Sequence, residues 1–79
     1  METRLELYAT VCIRALLQSE DDYDGWGINV CPPRIGDTGA ILEVLTTPGS
    51  LNKYVVENVN SDGTTIWLSD FFAEEIEPA

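Results

Sequence analysis

The strongest local constraint in this chain is the tetrapeptide Asn60-Ser61-Asp62-Gly63, set between two segments of alternating character. An Asp-Gly pair suits the tight, twisted turns by which antiparallel strands reverse direction. Ahead of it, Lys53 to Asn60 puts Tyr54, Val56 and Asn58 on one face and Val55, Glu57 and Val59 on the other. After it, Thr64 to Leu68 points Ile66 and Leu68 one way and Trp67 the other. Such a hairpin commits this half of the chain to antiparallel β-structure.

The remaining segments follow the same period. Tyr8 to Leu17 places Val11, Ile13 and Ala15 on one face and Thr10, Cys12 and Arg14 on the other, which predicts a first strand. A helix over Thr3–Leu17 is the alternative, because that stretch has no Gly or Pro. From Gln18 to Ile35 the period disappears, and the chain turns acidic, then glycine-rich, then Pro-Pro. A loop that long in a small domain is expected to be either functional or partly disordered. Ile35-Gly36-Asp37-Thr38-Gly39 reads as a bend before a strand over Ala40–Leu45, and Pro48-Gly49 as a turn. Ser69 to Ala73 reads as a single helical turn and Glu74 to Pro78 as a last short strand with Ile76 inward. The predicted fold is all-β: one domain over residues 1–79, a five-stranded SH3-like barrel with a long loop after the first strand and a helical turn before the last. Closing five strands into a barrel hides the edges that a flat sheet would expose. The expected core is Val11, Ile13, Ile41, Val44, Tyr54, Val56, Ile66, Leu68 and Ile76.

Composition narrows the function. The 79 residues allow one modest core and, at most, one site. Fourteen acidic residues against four basic ones give a formal charge of −10. That opposes nucleic-acid binding, which needs Lys and Arg to neutralise phosphates, and it opposes anionic membrane surfaces too. No apolar run is long enough to span a bilayer, and the start of the chain lacks the basic and apolar pattern of a secretory signal, so a cytoplasmic protein is expected. With no histidine, and with only Cys12 and Cys31, the sequence offers no zinc spacing and no activated nucleophile. The expectation is two free thiols, no cofactor, no metal and no catalysis. Glu20-Asp21-Asp22-Tyr23-Asp24-Gly25 follows the opening of a calcium loop, but Gly27 and Cys31 then fall where an aliphatic residue and the bidentate Glu belong.

The run Gly36-Asp37-Thr38-Gly39-Ala40-Ile41, followed by Tyr54-Val55-Val56-Glu57, Asp62-Gly63 and Phe72-Ala73-Glu74-Glu75-Ile76-Glu77-Pro78, resembles the SH3-like barrels of electron-transport accessory proteins. That group includes the peripheral barrel subunit of photosystem I, the barrel of the nitrile hydratase beta subunit and NifZ-like nitrogen-fixation accessory proteins. The resemblance covers residues 36 to 78 and implies a docking or assembly subunit without catalytic residues of its own. The photosystem barrel offers basic residues to an acidic carrier, whereas this chain is acidic, so that partnership does not carry over.

The candidate site is the loop after the first strand, where Tyr23 and Trp26 sit among Glu20, Asp21, Asp22 and Asp24. Aromatic walls can hold an extended peptide while carboxylates pair with its basic side chains. Trp and Tyr also dominate interface hot spots. Trp67, expected on the outer face of its strand, is a second aromatic available for contact. Two roles fit these residues: an accessory or adaptor domain, monomeric or built into a larger complex, docking on a protein with a basic patch; or an acidic inhibitor of immunity type that blocks a basic site or mimics nucleic acid. Carboxylates confined to the 20–24 loop and the C-terminus favour the first, and carboxylates spread over a broad face favour the second.

Overall fold

The computed structural model describes residues 5–46 and 48–79. Five strands form one antiparallel sheet in the order β4-β3-β2-β1-β5: β1 (Thr10–Ile13), β2 (Thr38–Leu45), β3 (Lys53–Val59), β4 (Thr65–Phe72) and β5 (Ile76–Pro78). A 3-10 turn over Glu20–Asp24 interrupts the long connection between β1 and β2, and a second over Ala73–Glu75 joins β4 to β5. The all-β class is as the sequence predicts. Of the alternative helix over Thr3–Leu17, Thr3 and Arg4 lie outside the described residues. The remainder holds β1 instead, whose β-branched Thr, Val and Ile suit a pleated ladder.

The hairpin of β3 and β4 turns at Asn60–Gly63, with Gly63 at φ 87° and its N–H donating to the carbonyl of Asn60 at 3.0 Å. Two hydrogen bonds from Thr64, one from its side chain and one from its backbone, hold the Asp62 carboxyl below the usual carboxylate range. Gly39, in β2, is required by space and not by turn geometry. A Cβ there would lie 2.6 Å from the Glu57 carbonyl oxygen and 2.7 Å from Val56 Cγ1. Two irregularities reset the alternation. In β2 the register passes from Ile41 opposite Val56 to Glu43 opposite Val55, so Leu42 is the extra residue. Ile41 and Val44, an odd number apart, can therefore both turn toward the core.

The second irregularity lies between Asn58 and Val59, opposite Trp67 and Thr65, and leaves Ile66 as the extra residue of β4. This corrects the predicted face of β4. The strand does not stop at Leu68 but runs on to Phe72, and Trp67, Ser69 and Phe71 are its buried set while Ile66 and Leu68 are half-buried. A phase error of one residue exchanges the two faces of a strand. The predicted helical turn moves with it, from Ser69–Ala73 to Ala73–Glu75.

The core consists of Val11, Ile13, Tyr23, Ile41, Val55, Val56, Trp67, Phe71 and Ile76. Val44, Tyr54 and Ile66 pack against it from partly exposed positions. Its aromatic centre is a chain of three rings: Trp67 meets Phe71 edge-on at 5.6 Å between centroids, and Phe71 meets Tyr23 at 5.5 Å. The Trp67 indole N–H, fully enclosed, donates to Asp37 Oδ2 at 3.0 Å. That bond gives the aspartate of the Gly36–Gly39 bend a structural task, since a buried indole needs an acceptor.

Candidate functional site

The loop from Gln18 to Ile35 is a built element, closed at both ends by hydrogen bonds. Ser19 opens the 3-10 turn, its N–H donating to Asp22 Oδ2 at 3.1 Å while the Asp22 N–H donates to the Ser19 carbonyl at 2.9 Å. Beyond the turn the loop runs beside β4, which is an outer strand of the sheet and would otherwise present unpaired backbone groups. Val30 N–H donates to the Ile66 carbonyl at 2.8 Å, Asn29 Oδ1 accepts from Leu68 N–H at 2.8 Å, and Gln18 Nε2 donates to the Asp70 carbonyl at 2.9 Å. Residues 66, 68 and 70 are alternate positions of β4, so these three bonds follow the outward-facing edge of the strand. The Asn29 amide also donates to the Tyr23 carbonyl at 2.8 Å, fastening the turn to its own strand cover.

Glu75 locks the other end of the loop. It is completely buried at the corner between β4 and β5. Oε1 accepts from Gln18 Nε2 at 2.8 Å and from Phe72 N–H at 2.9 Å, and Oε2 accepts from Leu17 N–H at 2.8 Å and from the Tyr23 hydroxyl. The Tyr23 oxygen in turn accepts from Gln18 N–H at 2.9 Å. The Glu75 backbone carbonyl takes the N–H of Arg14 at 2.8 Å. Burial first, and the bond to Glu75 second, push the Tyr23 hydroxyl up to about 12. This is the arrangement by which a buried carboxylate is kept without a cation against it, through donors filling both oxygens. Chemically it is closed, because a carboxylate saturated by its own chain and shut off from solvent has no lone pair to offer a substrate.

The expected contact residues therefore divide. Glu20, Asp21, Asp22 and Asp24 are exposed along one short turn whose last turn contains no basic residue. Trp26 stands at the end of that turn, 48% exposed, with its indole N–H donating to Asp70 Oδ1 at 2.8 Å. Gly27 follows at φ 72°, a conformation that lets the chain reverse immediately behind the indole. Tyr23 and Trp67, by contrast, are in the core, at 5% and 0% exposure, and neither is available to a partner. Tyr23 is drawn inward by the Glu75 acceptor and Trp67 by the phase of β4. The polar partners that fix the loop are the buried Glu75 and the half-buried Gln18, Asn29 and Asp70, and no spacing pattern marks them for this task.

The calcium-like run folds with Tyr23 turned inward and with Asp22 and Asp24 accepting backbone N–H bonds from Ser19 and Asn29. Among the described residues no group of three or more His, Cys, Asp and Glu side chains is placed to hold a metal ion. Cys12 and Cys31 are both free and half-buried. No described helix is long and apolar enough to cross a membrane. Comparison with protein-family models, with curated proteins and with solved structures gives no match to this chain.

Proposed function

We propose that the chain is a non-catalytic binding module, an SH3-like barrel of the electron-transport accessory kind, that docks on a basic surface of another protein. The long connection after β1 and the 3-10 turn ahead of β5 support the barrel reading, since a long loop after the first strand and a helical turn before the last are the features by which the strand pattern suggested it. One observation carries the binding reading. Trp26 is half-exposed, oriented by a single hydrogen bond to Asp70, and adjacent to the exposed carboxylates of Glu20, Asp21, Asp22 and Asp24. An aromatic ring held in one orientation loses little freedom on binding, and neighbouring charge of one sign steers an oppositely charged partner to it.

Other carboxylates have internal duties. Asp37 accepts from Trp67, Asp70 from Trp26, Glu57 from Thr65, and Glu75 from the loop. Glu6, Glu43, Asp62, Glu74 and Glu77 are exposed but scattered, whereas Glu20, Asp21, Asp22 and Asp24 crowd one turn beside Trp26; that cluster supports an adaptor over a broad-faced mimic of nucleic acid. The partner is a cytoplasmic protein with a basic, partly apolar patch. The test is retention of native host proteins on the immobilised chain, its Trp26→Ala variant and its Asp21→Asn/Asp22→Asn/Asp24→Asn variant. A basic protein held by the parent chain, lost with Trp26→Ala and released at lower salt by the aspartate variant, is the expected result. Equal retention by all three removes the loop as the docking site.

A further inference from the structure

Away from the acidic turn, the strip between the β2–β3 connection and the end of β4 is an open apolar groove. Leu45, Leu51, Lys53 and Phe72 line a space of about 470 Å³, and an adjoining space of about 360 Å³ continues past Leu51 to Tyr54 and Glu74. Spaces of this size fit the range that takes up a ligand group. Leu51, 71% exposed, stands on the wall shared by the two spaces. The two ends of the groove differ in charge. At the first, the Lys53 ammonium donates to the neutral Gln18 Oε1 at 2.8 Å and lies 4.8 Å from the centre of the Phe72 ring, so that end carries a positive charge. At the other, Glu74 is exposed on the rim and lies among residues that bring no positive charge.

We infer that this groove receives an aliphatic side chain carried on a basic, extended segment of the protein partner, the aliphatic group seating on Leu45, Leu51 and Phe72 and a neighbouring Lys or Arg reaching Glu74. Charge selects this occupant. A second copy of the chain would bring another −10 toward the same face, and an anionic or acidic ligand would meet Glu74 as well as the net field of the protein. An uncharged apolar ligand would leave Glu74 unused. The inference rests on the reading that the partner is basic, and it gives that partner a second point of attachment separate from Trp26.

The probes are three end-capped peptides of alternating sequence: lysine with leucine, lysine with serine, and glutamate with leucine. Each is titrated into the 15N-labelled chain and into the Leu51→Ser, Glu74→Gln and Trp26→Ala variants, with chemical-shift changes read at every amide and at the Trp26 indole. The lysine–leucine peptide should shift the amides of Leu45, Leu51, Phe72 and Glu74 and bind at least fivefold more tightly than either other peptide. Leu51→Ser, a change at an exposed position, and Glu74→Gln should each weaken it at least threefold while Trp26→Ala leaves the groove shifts in place. Shifts confined to Trp26 and the 20–24 turn would overturn the groove and leave the docking loop standing. Groove binding that prefers the glutamate peptide would overturn the charge assignment, and an absence of shifts with all three peptides would overturn both sites.

Discussion

Glu75 and Tyr23 are 52 positions apart in the chain and share one hydrogen bond on which the loop, the β4–β5 corner and the first strand's exit all depend. Replacing Glu75 by Gln would set an amide's donors against the donors of Gln18, Phe72, Leu17 or Tyr23. Since each buried donor left unsatisfied costs roughly 1–3 kcal/mol, Glu75→Gln should lower the stability measured by urea unfolding by about 3 kcal/mol. A loss within about 0.5 kcal/mol would mean the corner is not held this way. Tyr23 gives the pair a signature in pH. Its folded-state hydroxyl is raised to about 12 from an ordinary value of 10.0, so the stabilisation it brings is complete below pH 10. Between pH 10 and about 12 the unfolded chain ionises while the folded one does not, and stability should fall by up to about 1.4 kcal/mol per pH unit. Denaturant midpoints across that range should show the slope in the parent protein and lose it in Tyr23→Phe.

At the scale of elements, the long β1–β2 connection is explained by the strand that it covers. The three bonds from Val30, Asn29 and Gln18 to alternate residues of β4 make it a substitute neighbour for an edge strand. Asn29→Ala removes the acceptor for Leu68 N–H and the donor to the Tyr23 carbonyl. Hydrogen exchange at Leu68 and Val30 should accelerate at least tenfold, with a global loss of about 1–2 kcal/mol. Unchanged exchange at both amides would show the loop is not fastened there. Gly39→Ala, by forcing a Cβ against the Glu57 carbonyl and Val56, should cost about 1–3 kcal/mol by urea melts. The strands were legible because their breaks are written in local chemistry: Asp62-Gly63 closes one hairpin, and Val11, Ile13 and Ile76 alternate or sit as their short strands require. The face of Trp67 was not, because the extra residue Ile66 and the continuation to Phe72 change the phase without any Gly or Pro to announce it. For the candidate site, clustering of Glu20 to Asp24 beside Trp26 was visible as composition. Their anchorage to Asn29, Asp70 and Glu75 was not, since pairings made 5 to 52 residues away leave no spacing rule in the chain.

Over the whole molecule the two tryptophans have opposite tasks, and the binding proposal depends on that division. Trp67 is fully enclosed, touches Phe71 and is bonded to Asp37, so Trp67→Ala should cost about 3–5 kcal/mol, enough to abolish cooperative unfolding in a domain this small. Trp26 is half-exposed with one hydrogen bond, so its removal should change stability by no more than about 1 kcal/mol while removing about 2 kcal/mol or more of partner binding. The direct test is a paired measurement on Trp26→Ala: urea unfolding followed by tertiary-structure signals, and affinity for the basic protein that the parent chain retains. A preserved unfolding midpoint together with at least a thirtyfold loss of affinity is the result the account expects. Loss of the cooperative transition, or affinity unchanged with the fold intact, would contradict it.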